Sequence, residues 1–569
     1  MLFLLCALDS PISIAAVYAQ APATNVSGYI TVNTTWSSAG SPYVVVENVT
    51  VIRDVLLKIE PGVVVKFNVG TSLMIDGRLT AKGNSTHEIE FTSNSATPAI
   101  GDWMTIDLRS HSTANSLDHC RFRYASAAVS IAVDCNITAS HFEFNNYGIL
   151  LQGAKEVNVN WAHITNNNVA GIAGSGLLKI ENSNISMNAE GFHECDVEAK
   201  NCVITENIGC GAYSMSGQVN DSIISANGNY GIGAGSNLFL ANCSVSDNVG
   251  AGLLVGEYFG LTRMAQVEDC AFVNNTNGVE IVSFYNYESY VNAIQSTMSG
   301  NRETGIKIEN AGSEGGAAVY RCNITNNVLD GIVGGWATVS NSNISNNING
   351  IFHCGHATVS NSTIQDNFDS GVDAGSIVLH NSVVKSNSNG IVGELLIADQ
   401  YSMIINNTIG VSVSYTESKY ITIANNSLIN VEVSGYGLLG YGLFLHCNIY
   451  NSLVGIKLRD AIISDSNIFN NTEYNIVLTG ENDINATSNW WGTTNETLIE
   501  KYFYDYHDNY TLGEILYKPY LDAPVIISIP EPPSPPNYTI YWIAFAITTT
   551  IAVATIFVMA VRRKKNNGT

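Results

Sequence analysis

The stretch that decides the fold is RCNITNNVLDGI (321–332), which recurs as NSNISNNINGI (341–351), NSTIQDNFDSGV (361–372) and NSVVKSNSNGI (381–391). An apolar residue returns about every 20 positions, and an asparagine follows it three residues later. A unit this short cannot enclose its own core, so each copy must bury its apolar residue against its neighbours. The repeat therefore predicts a solenoid whose anchors are Ile324, Ile344, Ile364, Val384 and Ile404.

The same spacing continues on both sides of these copies. Asparagine suits a stacked turn because it tolerates left-handed backbone and its amide can bond to the copy above. A glycine such as Gly331 or Gly350 follows each pair, which predicts a second corner that a side chain would obstruct. The register predicts further anchors at Ile164, Ile185, Ile204, Ile224, Val245, Phe272, Met298, Leu428, Ile449 and Ile468.

Two solenoid architectures have a period near 20 residues, the leucine-rich repeat and the parallel β-helix. A leucine-rich repeat needs a helical half in every copy. Here the other half of one copy, GIFHCGHATVSN at 350–361, holds Gly, Thr, Val and Ile in short alternating runs without a helical stripe. Those residues favour strands. The sequence therefore predicts an all-β fold, a parallel β-helix with coils of about 20 residues.

Composition and charge agree with a long stack of turns. The chain has 569 residues, of which 49 are glycine, 12 are proline and 13% are charged, and its net charge is -24. A solenoid grows turn by turn, so this length does not require several separate cores. Because a negatively charged chain repels a polyanion, the charge argues against nucleic acid as a partner.

The N-terminal region carries a different repeat, with IEPGVVVKF (59–67), DGRLTAKG (76–83), IEFTS (89–93) and GDW (101–103) in succession. In this order the segments resemble the opening coils of prokaryotic, often archaeal, right-handed β-helix surface proteins. The later copies resemble the repeats shared by pectate-lyase-like proteins and by the copper-maturation NosD-like family. The resemblance spans residues 40–525, and it implies right-handed winding and a surface location.

The two ends of the chain predict export and membrane anchoring. Residues 1–21 resemble a signal peptide with a truncated start. Residues 540–561 form an apolar run long enough to cross a bilayer as one transmembrane helix, and the basic residues 562–565 follow it. The positive-inside rule then places the rest of the chain outside a cell membrane as a single-pass protein, with the tail 562–569 in the cytoplasm. Between the ends we expect N-terminal coils at 28–119, regular repeats at 120–486, a C-terminal cap at 487–525 and a Pro-rich linker at 526–539.

Three consecutive coils, from Val245 to Ile324, are longer than the others. Their extra residues must leave the stack as neighbouring loops. Aromatic rings flanked by carboxylates can stack on sugar rings and bond their hydroxyls, although such loops can equally pack on the flank of the stack. The predicted ligand-binding residues are Glu257, Tyr258, Phe259, Tyr285, Tyr287, Glu288 and Tyr290.

A complete catalytic set is not recognisable in the sequence. The resemblance implies that a hydrolase of this architecture needs two or three aspartates on one face, and that a lyase needs an acidic calcium site and an arginine base. Asp366, Asp369 and Asp373 are close in sequence, but Lys385 is the only basic residue on adjacent coils. These three aspartates are the catalytic candidates, and the pattern favours a chain that is not an enzyme without deciding the question.

One His/Cys cluster is a candidate metal site, formed by His353, Cys354 and His356. Two or three ligands without a fourth are insufficient for zinc or copper, so the pattern favours a structural turn. No cofactor is predicted, and a structural calcium ion is left open. Outside the repeat, the sequons at Asn495, Asn509 and Asn537 predict a glycoprotein.

Cysteine and serine exchange at one position of the repeat, which predicts a small filler there. Stacked cysteines in neighbouring coils can form disulfides or remain thiols. Both outcomes are open for the pairs Cys243–Cys270 and Cys120–Cys135. The cysteines assigned to this position are Cys120, Cys135, Cys202, Cys243, Cys270, Cys322 and Cys447.

Two functions follow from these observations. The first is a membrane-anchored extracellular β-helix with a surface, adhesion or glycan-binding role, whose partners are the membrane and polysaccharide or envelope glycans. The alternative is a tethered polysaccharide hydrolase or lyase. The oligomeric state is left open by the sequence.

Overall fold

The computed structural model describes residues 23–109, 111–112, 114–256, 263–284, 289–311, 315–434 and 440–527. These residues form about 21 turns of an all-β solenoid. Each turn lies on the previous one, and their strands pair in parallel, as in the ladder from Asn323–Thr325 to Asn343–Ser345 and on to Thr363–Gln365. The predicted parallel β-helix is confirmed.

One turn contains three strands that face three sides. In residues 323–340 these are Asn323–Thr325, Asp330–Val333 and Trp336–Ser340. A left-handed residue precedes the first strand and another follows it, at Arg321 and Asn326. Stacking the turns converts the three strands into three parallel sheets, named here sheets 1, 2 and 3.

Sheet 1 contains the anchor residues of the repeat. Its strands are short where a tight turn borders them on each side, but the first two, Thr24–Ile30 and Tyr43–Val51, continue into sheet 2, where Val49–Val51 pairs with Leu73–Ile75. They are Thr24–Ile30, Tyr43–Val51, Val64–Phe67, Ile89–Ser93, Cys120–Arg123, His141–Glu143, His163–Thr165, Asn184–Ser186, Val203–Thr205, Ile223–Ser225, Ser244–Ser246, Ala271–Val273, Thr297–Ser299, Asn323–Thr325, Asn343–Ser345, Thr363–Gln365, Val383–Lys385, Met403–Ile405, Thr422–Ala424, Asn448–Tyr450 and Asn467–Phe469.

Sheets 2 and 3 meet at a shallow bend, so eight strands run through both. The shared strands are Tyr147–Asn160, Ala170–Glu181, Ala212–Asn220, Ile232–Ala241, Asn349–Ser360, Ser370–His380, Asn389–Asp399 and Ile409–Lys419. Sheet 2 adds Leu73–Ile75, Ile106–Leu108, Ala127–Ile131, Phe192–His193, Leu253–Val255, Val279–Phe284, Ile306–Ala311, Asp330–Val333, Ile429–Val433, Val454–Leu458, Tyr474–Leu478 and Phe503–Tyr504. Sheet 3 adds Thr34–Trp36, Leu56–Ile59, Arg78–Lys82, Asn115–Asp118, Cys135–Thr138, Asp196–Lys200, Arg263–Glu268, Ser289–Ile294, Gly316–Tyr320, Trp336–Ser340, Tyr441–Leu445, Asp460–Ser464, Ile484–Asn485 and Ile515–Leu516.

The core is a set of columns that run along the stack. Ile344 and Ile364 are register partners in sheet 1, and both are fully buried. In the N-terminal turns the same column consists of stacked phenylalanines, with Phe91–Phe122 and Phe122–Phe142 ring centroids 4.9 and 4.7 Å apart. Each buried aliphatic or aromatic side chain contributes roughly 1.5–3 kcal/mol.

One predicted anchor is wrong. Leu428 is 46% exposed, whereas Ile423 is fully buried between Ile404 and Ile449 in the register of sheet 1. The physical reason lies in the asparagine, because Asn426 follows Ile423 by three residues and continues the buried amide column. Leu428 lies in the corner after Asn426, just before the strand Ile429–Val433.

The asparagines form a buried ladder beside the core. Each backbone N–H donates to the side-chain Oδ1 of the asparagine one turn ahead, at 2.9–3.2 Å. Most of the side-chain amides also donate to the same oxygen and to a sheet 1 carbonyl one turn behind, as Asn367 does to Asn387 and Ile344. The ladder consists of Asn145, Asn167, Asn188, Asn207, Asn227, Asn248, Asn275, Asn301, Asn327, Asn347, Asn367, Asn387, Asn407 and Asn426.

The glycine column lies against this ladder. A Cβ added at Gly331 would lie 2.5 Å from the Gly350 carbonyl oxygen and 3.2 Å from the Asn347 amide nitrogen. The expected obstruction by a side chain is therefore confirmed, and its cause is close approach between neighbouring turns. Glycine is required here because neighbouring turns leave no room for a Cβ.

After Asn426 the ladder is interrupted at Ser452, whose side chain is too short to bridge two turns, and buried Asn471 resumes it by accepting the Ser452 N–H at 3.1 Å. Asn430, which stands in the glycine column, fills the gap: it accepts from Asn426 at 2.8 Å and from the Ser452 hydroxyl at 2.6 Å. Its amide donates onward to Asn471 at 3.4 Å. Two substitutions thus compensate each other in adjacent columns.

Serine and cysteine do exchange in one column of sheet 1, where the side chain accepts the backbone N–H of the previous turn. Ser342 accepts from Cys322 at 3.0 Å, and the Cys270 sulfur accepts from the Cys243 N–H at 3.4 Å. Cys243 and Cys270 are stacked as free thiols.

Cys135 was assigned to this column wrongly. It begins the sheet 3 strand Cys135–Thr138, where it pairs with Asn115 and Val157. The true neighbour of Cys120 is Ser140, whose hydroxyl accepts the Cys120 N–H at 3.1 Å. Cys120 and Cys135 therefore lie in different sheets and form no pair.

The last turns end in a different structure. Asn495 caps the helix Glu496–Glu500, and the strands Phe503–Tyr504 and Ile515–Leu516 add the final rungs of sheets 2 and 3. A 3₁₀ turn, Ser38–Gly40, lies near the start. The stack through Pro524 is one compact unit.

The predicted signal peptide at 1–21 and the predicted membrane span at 540–561 lie outside the described residues. Within residues 23–527, apart from the gaps given above, no helix has the length and apolar character needed to cross a bilayer.

Candidate functional site

The predicted aromatic loops fall almost wholly outside the described residues, which exclude Glu257, Tyr258, Phe259, Tyr285, Tyr287 and Glu288. Tyr290 is described, in the sheet 3 strand Ser289–Ile294. Its ring centroid lies 5.7 Å from that of Trp336 on the flank of the stack. The proposed loop patch stays a prediction.

The three candidate catalytic aspartates lie on a turn and on the strand that follows it. Asp366 is exposed in the left-handed turn after Thr363–Gln365, and Asp369 accepts from the Asn389 amide at 3.0 Å. Asp373 lies on sheet 2 and is half-buried. Burial raises the pKa of Asp373, partly offset by the nearby His353.

The candidate metal ligands differ sharply in exposure. His353 is the extra residue of a β-bulge, is exposed, and stacks on Phe352 at 3.9 Å. Cys354 is buried, donates to the Gly334 carbonyl at 3.2 Å, and has a pKa raised to about 12 by burial. His356 is exposed and bonds to Thr358. In the part of the chain that the structure describes, no three His, Cys, Asp or Glu side chains are grouped as a metal site.

A different cluster lies on the outer face of sheet 1, in the turns that carry the phenylalanine stack. We call it the charged flank: Glu88, Glu90, Arg121, Arg123, His141, Glu143 and His163. These side chains alternate with buried Phe91, Phe122 and Phe142, so period-two alternation turns all of them outward.

Ion pairs join three successive turns of the charged flank. Arg121 Nε lies 3.0 Å from Glu88, and its terminal nitrogen lies 2.7 Å from Glu143. Arg123 pairs with Glu90 and lies 4.0 Å from Glu143. The five side chains are 20–32% exposed, so the network is partly shielded while its outer edge still meets solvent.

The environment of the flank shifts the pKa of Arg121 and of His141 in opposite directions. Burial opposes the Arg121 charge, but the hydrogen bonds that Arg121 donates to Glu88 and Glu143 outweigh it and raise the pKa of Arg121. Burial, followed by the positive charge of Arg121, lowers the pKa of His141. His141 and His163 stack with ring centroids 5.0 Å apart. Lowering the pKa of His141 favours its neutral form beside the Arg121 guanidinium.

Aromatic rings border the charged flank. Tyr124 and Phe144 follow Arg123 and Glu143 in left-handed turns, and their rings stack at 6.4 Å. Trp161, 59% exposed, lies at the left-handed turn on the opposite border, just before His163. A row of guanidinium and carboxylate groups between aromatic rings can hydrogen-bond to a polyhydroxylated or acidic chain that runs along the stack.

Sequence reasoning missed this cluster because the N-terminal coils were treated as a separate repeat. The signal was present as charged residues alternating with an aromatic anchor in HEIEF (87–91), CRFR (120–123) and HFE (141–143). Aligning those three phrases on the phenylalanine would have placed their charges on one face.

The comparisons with known proteins concern the fold. A family described as "Right handed beta helix region" matches residues 106–236, which include most of the charged flank. This match supports the predicted right-handed winding. No curated relative matches the chain.

One solved structure is similar, the A-module of mannuronan C-5 epimerase AlgE6 from Azotobacter vinelandii. Its sequence is 13% identical, and the comparison covers 70% of this chain and 86% of that module with a TM-score of 0.17. At that score the likeness supports no argument about this chain.

Proposed function

We propose that this chain is an extracellular β-helix, held at a cell surface through residues 540–561, that binds polysaccharide or envelope glycans along the charged flank. The observation that carries the proposal is the row of Arg–Glu pairs across successive turns, with the Tyr124–Phe144 stack on one border and exposed Trp161 on the other. Neighbouring turns are ~4.8 Å apart, about the length of one sugar ring, so successive turns can meet successive sugars.

The ion pairs favour binding over bond cleavage at this flank. Glu88, Glu90 and Glu143 are each committed to an arginine, and carboxylates held in ion pairs make poor general acids. Arginine in such pairs still has donors to offer, because its guanidinium carries five N–H groups. A ligand would therefore be held by hydrogen bonds and ring stacking.

The test measures glycan binding by the full-length chain on an array of neutral and acidic polysaccharides. We expect the Tyr124→Asn, Phe144→Asn double variant to lose binding, since asparagine occupies the same turn position in other copies and preserves the backbone. The matched control is Phe368→Asn, which removes a turn ring that is 83% exposed elsewhere on the stack. Binding that survives the double variant, or is lost equally in the control, contradicts the proposal.

A second function, polysaccharide hydrolysis or elimination, is favoured by one observation on sheet 2. Burial raises the pKa of both Asp330 and Asp373, and the bulged His353 lies near both. Carboxyls with raised pKa beside an imidazole are a pattern of acid–base sites. New reducing ends or unsaturated products from a polysaccharide panel, abolished by Asp373→Asn, would establish this function.

A further inference from the structure

A groove runs beside the last turns of the stack, far along the chain from the charged flank. Two adjoining cavities of about 470 and 380 Å³ form it, and Asn470 and Thr472 line both. The first cavity follows the turns after the strands Thr422–Ala424 and Asn448–Tyr450, and the second reaches the C-terminal cap at Trp491 and Tyr502.

The lining of the groove is uncharged. No Asp, Glu, Lys, Arg or His lines either cavity, although the chain carries 49 acidic and 25 basic residues. The lining instead combines amides and hydroxyls with the rings of Phe469, Trp491 and Tyr502 and with a few apolar side chains. Such a surface favours a neutral ligand that is rich in hydroxyls and has apolar ring faces, and it offers no charged partner for a phosphate or a metal ion.

An exposed amide ladder forms one wall. Asn470 donates to Asn451 at 2.9 Å, and Asn451 donates to Asn425 at 3.0 Å. Among the described residues, the Asn425 amide nitrogen and the Asn470 amide oxygen have no protein partner. The wall therefore presents one free donor and one free acceptor, two turns apart.

Trp491 supplies an independent observation. Only 3% of its surface is exposed, it lines the second cavity, and its indole N–H has no hydrogen-bond partner within the described residues. A buried donor without an acceptor costs about 1–3 kcal/mol. The nitrogen itself has almost no solvent-accessible surface, so a ligand oxygen would meet it only after a shift of the cavity wall.

We infer that the groove is a second binding site of this chain, specific for a neutral saccharide. It rests on the proposed function only in that the ligand is a glycan; the site and its charge preference differ from those of the charged flank. The saccharide in the groove could be a free oligosaccharide or a glycan attached to the chain itself. The second source is available because Asn425 and Asn470 both lie in Asn-x-Ser/Thr sequons.

The test titrates the full-length chain with neutral glucan, mannan and chitin hexasaccharides and with an oligouronate of equal length. We expect one neutral ligand to bind, to quench tryptophan fluorescence, and to keep its affinity as salt is raised. Thr472→Arg should weaken that binding at least about tenfold, because the exposed position lines both cavities. The matched control is Val328→Arg in a distant turn, because Val328 follows the ladder residue Asn327 as Thr472 follows Asn471.

Further variants keep the outcome decisive. Trp491→Phe keeps a ring but removes the N–H, and it should abolish the fluorescence change. The fluorescence change that depends on Trp491 should persist in the Tyr124→Asn, Phe144→Asn variant, so failure of the flank and failure of the groove are separable. The chain purified from its native source is also treated with a deglycosylating enzyme. A fall in mass at Asn470, with binding of the neutral ligand only after treatment, indicates that the groove is filled by a glycan attached to the chain itself. Absence of both neutral binding and an attached glycan, or equal loss in Val328→Arg, overturns the inference.

Discussion

Replacing one rung of the buried asparagine ladder tests the physical basis of the stack. In Asn367→Ala the buried Asn347 N–H loses its acceptor at 3.1 Å, and the Asn367 amide no longer donates to Asn387 at 3.0 Å. An orphaned buried donor costs about 1–3 kcal/mol and a lost hydrogen bond about 1 kcal/mol, so local stability should fall by about 2–4 kcal/mol.

Hydrogen exchange measures this loss turn by turn, which suits a repeat protein whose unfolding need not be two-state. Protection should fall in peptides that cover the turns next to residue 367 and stay unchanged near the phenylalanine stack, because turns contact only their neighbours. The matched control is Asn323→Ala, an exposed residue that accepts one bond from Asn343, with an expected effect within about 0.5 kcal/mol. Equal loss of protection in both variants would refute the reasoning.

Three further predictions follow from the columns and the flank. Asn430→Gly and Ser452→Asn should each destabilise the chain by about 1–3 kcal/mol, while the double variant restores a regular ladder; additive losses in a double-mutant cycle would contradict the compensation. The folded pKa of His141 is lowered, so the unfolded chain binds its proton first and stability should fall as pH drops below about 6.5; His141→Gln should flatten that slope in urea titrations at several pH values. Burial raises the pKa of Cys354 to about 12, so its thiol should resist alkylation in the native chain and react only in denaturant, as mass spectrometry of the labelled peptide would report.

The repeat made the fold predictable because it encodes contacts between copies. Ile344 above Ile364 and Asn347 bonded to Asn367 both follow from a spacing of about 20 residues and from residue types that suit stacking. The prediction failed where the spacing drifted. Leu428 was preferred to Ile423 although only Ile423 has its asparagine in step, and Cys135 was placed in a sheet 1 column although it begins a sheet 3 strand.

The candidate sites were harder to predict because they depend on side chains that meet across turns. Arg121 touches Glu88 33 residues earlier and Glu143 22 residues later, which no local motif reports. The groove was invisible for a related reason, since its walls combine turn asparagines of three copies with Trp491 from the C-terminal cap. Registering all copies on the buried asparagine would have recovered the amide walls, but not the ring that closes one end.

The uniformity of the asparagine ladder makes length an adjustable property of this molecule. Each backbone N–H of the ladder donates to the asparagine ahead in the same way, so excising residues 341–360 would bring Asn327 directly onto Asn367 with the ladder bonds still matched. Duplicating the segment would be equally neutral, and each copy would change the reach of the protein by ~4.8 Å. Gene-level gain or loss of single copies is therefore compatible with folding, whereas a deletion of ten residues would set a strand against a corner and end the stack.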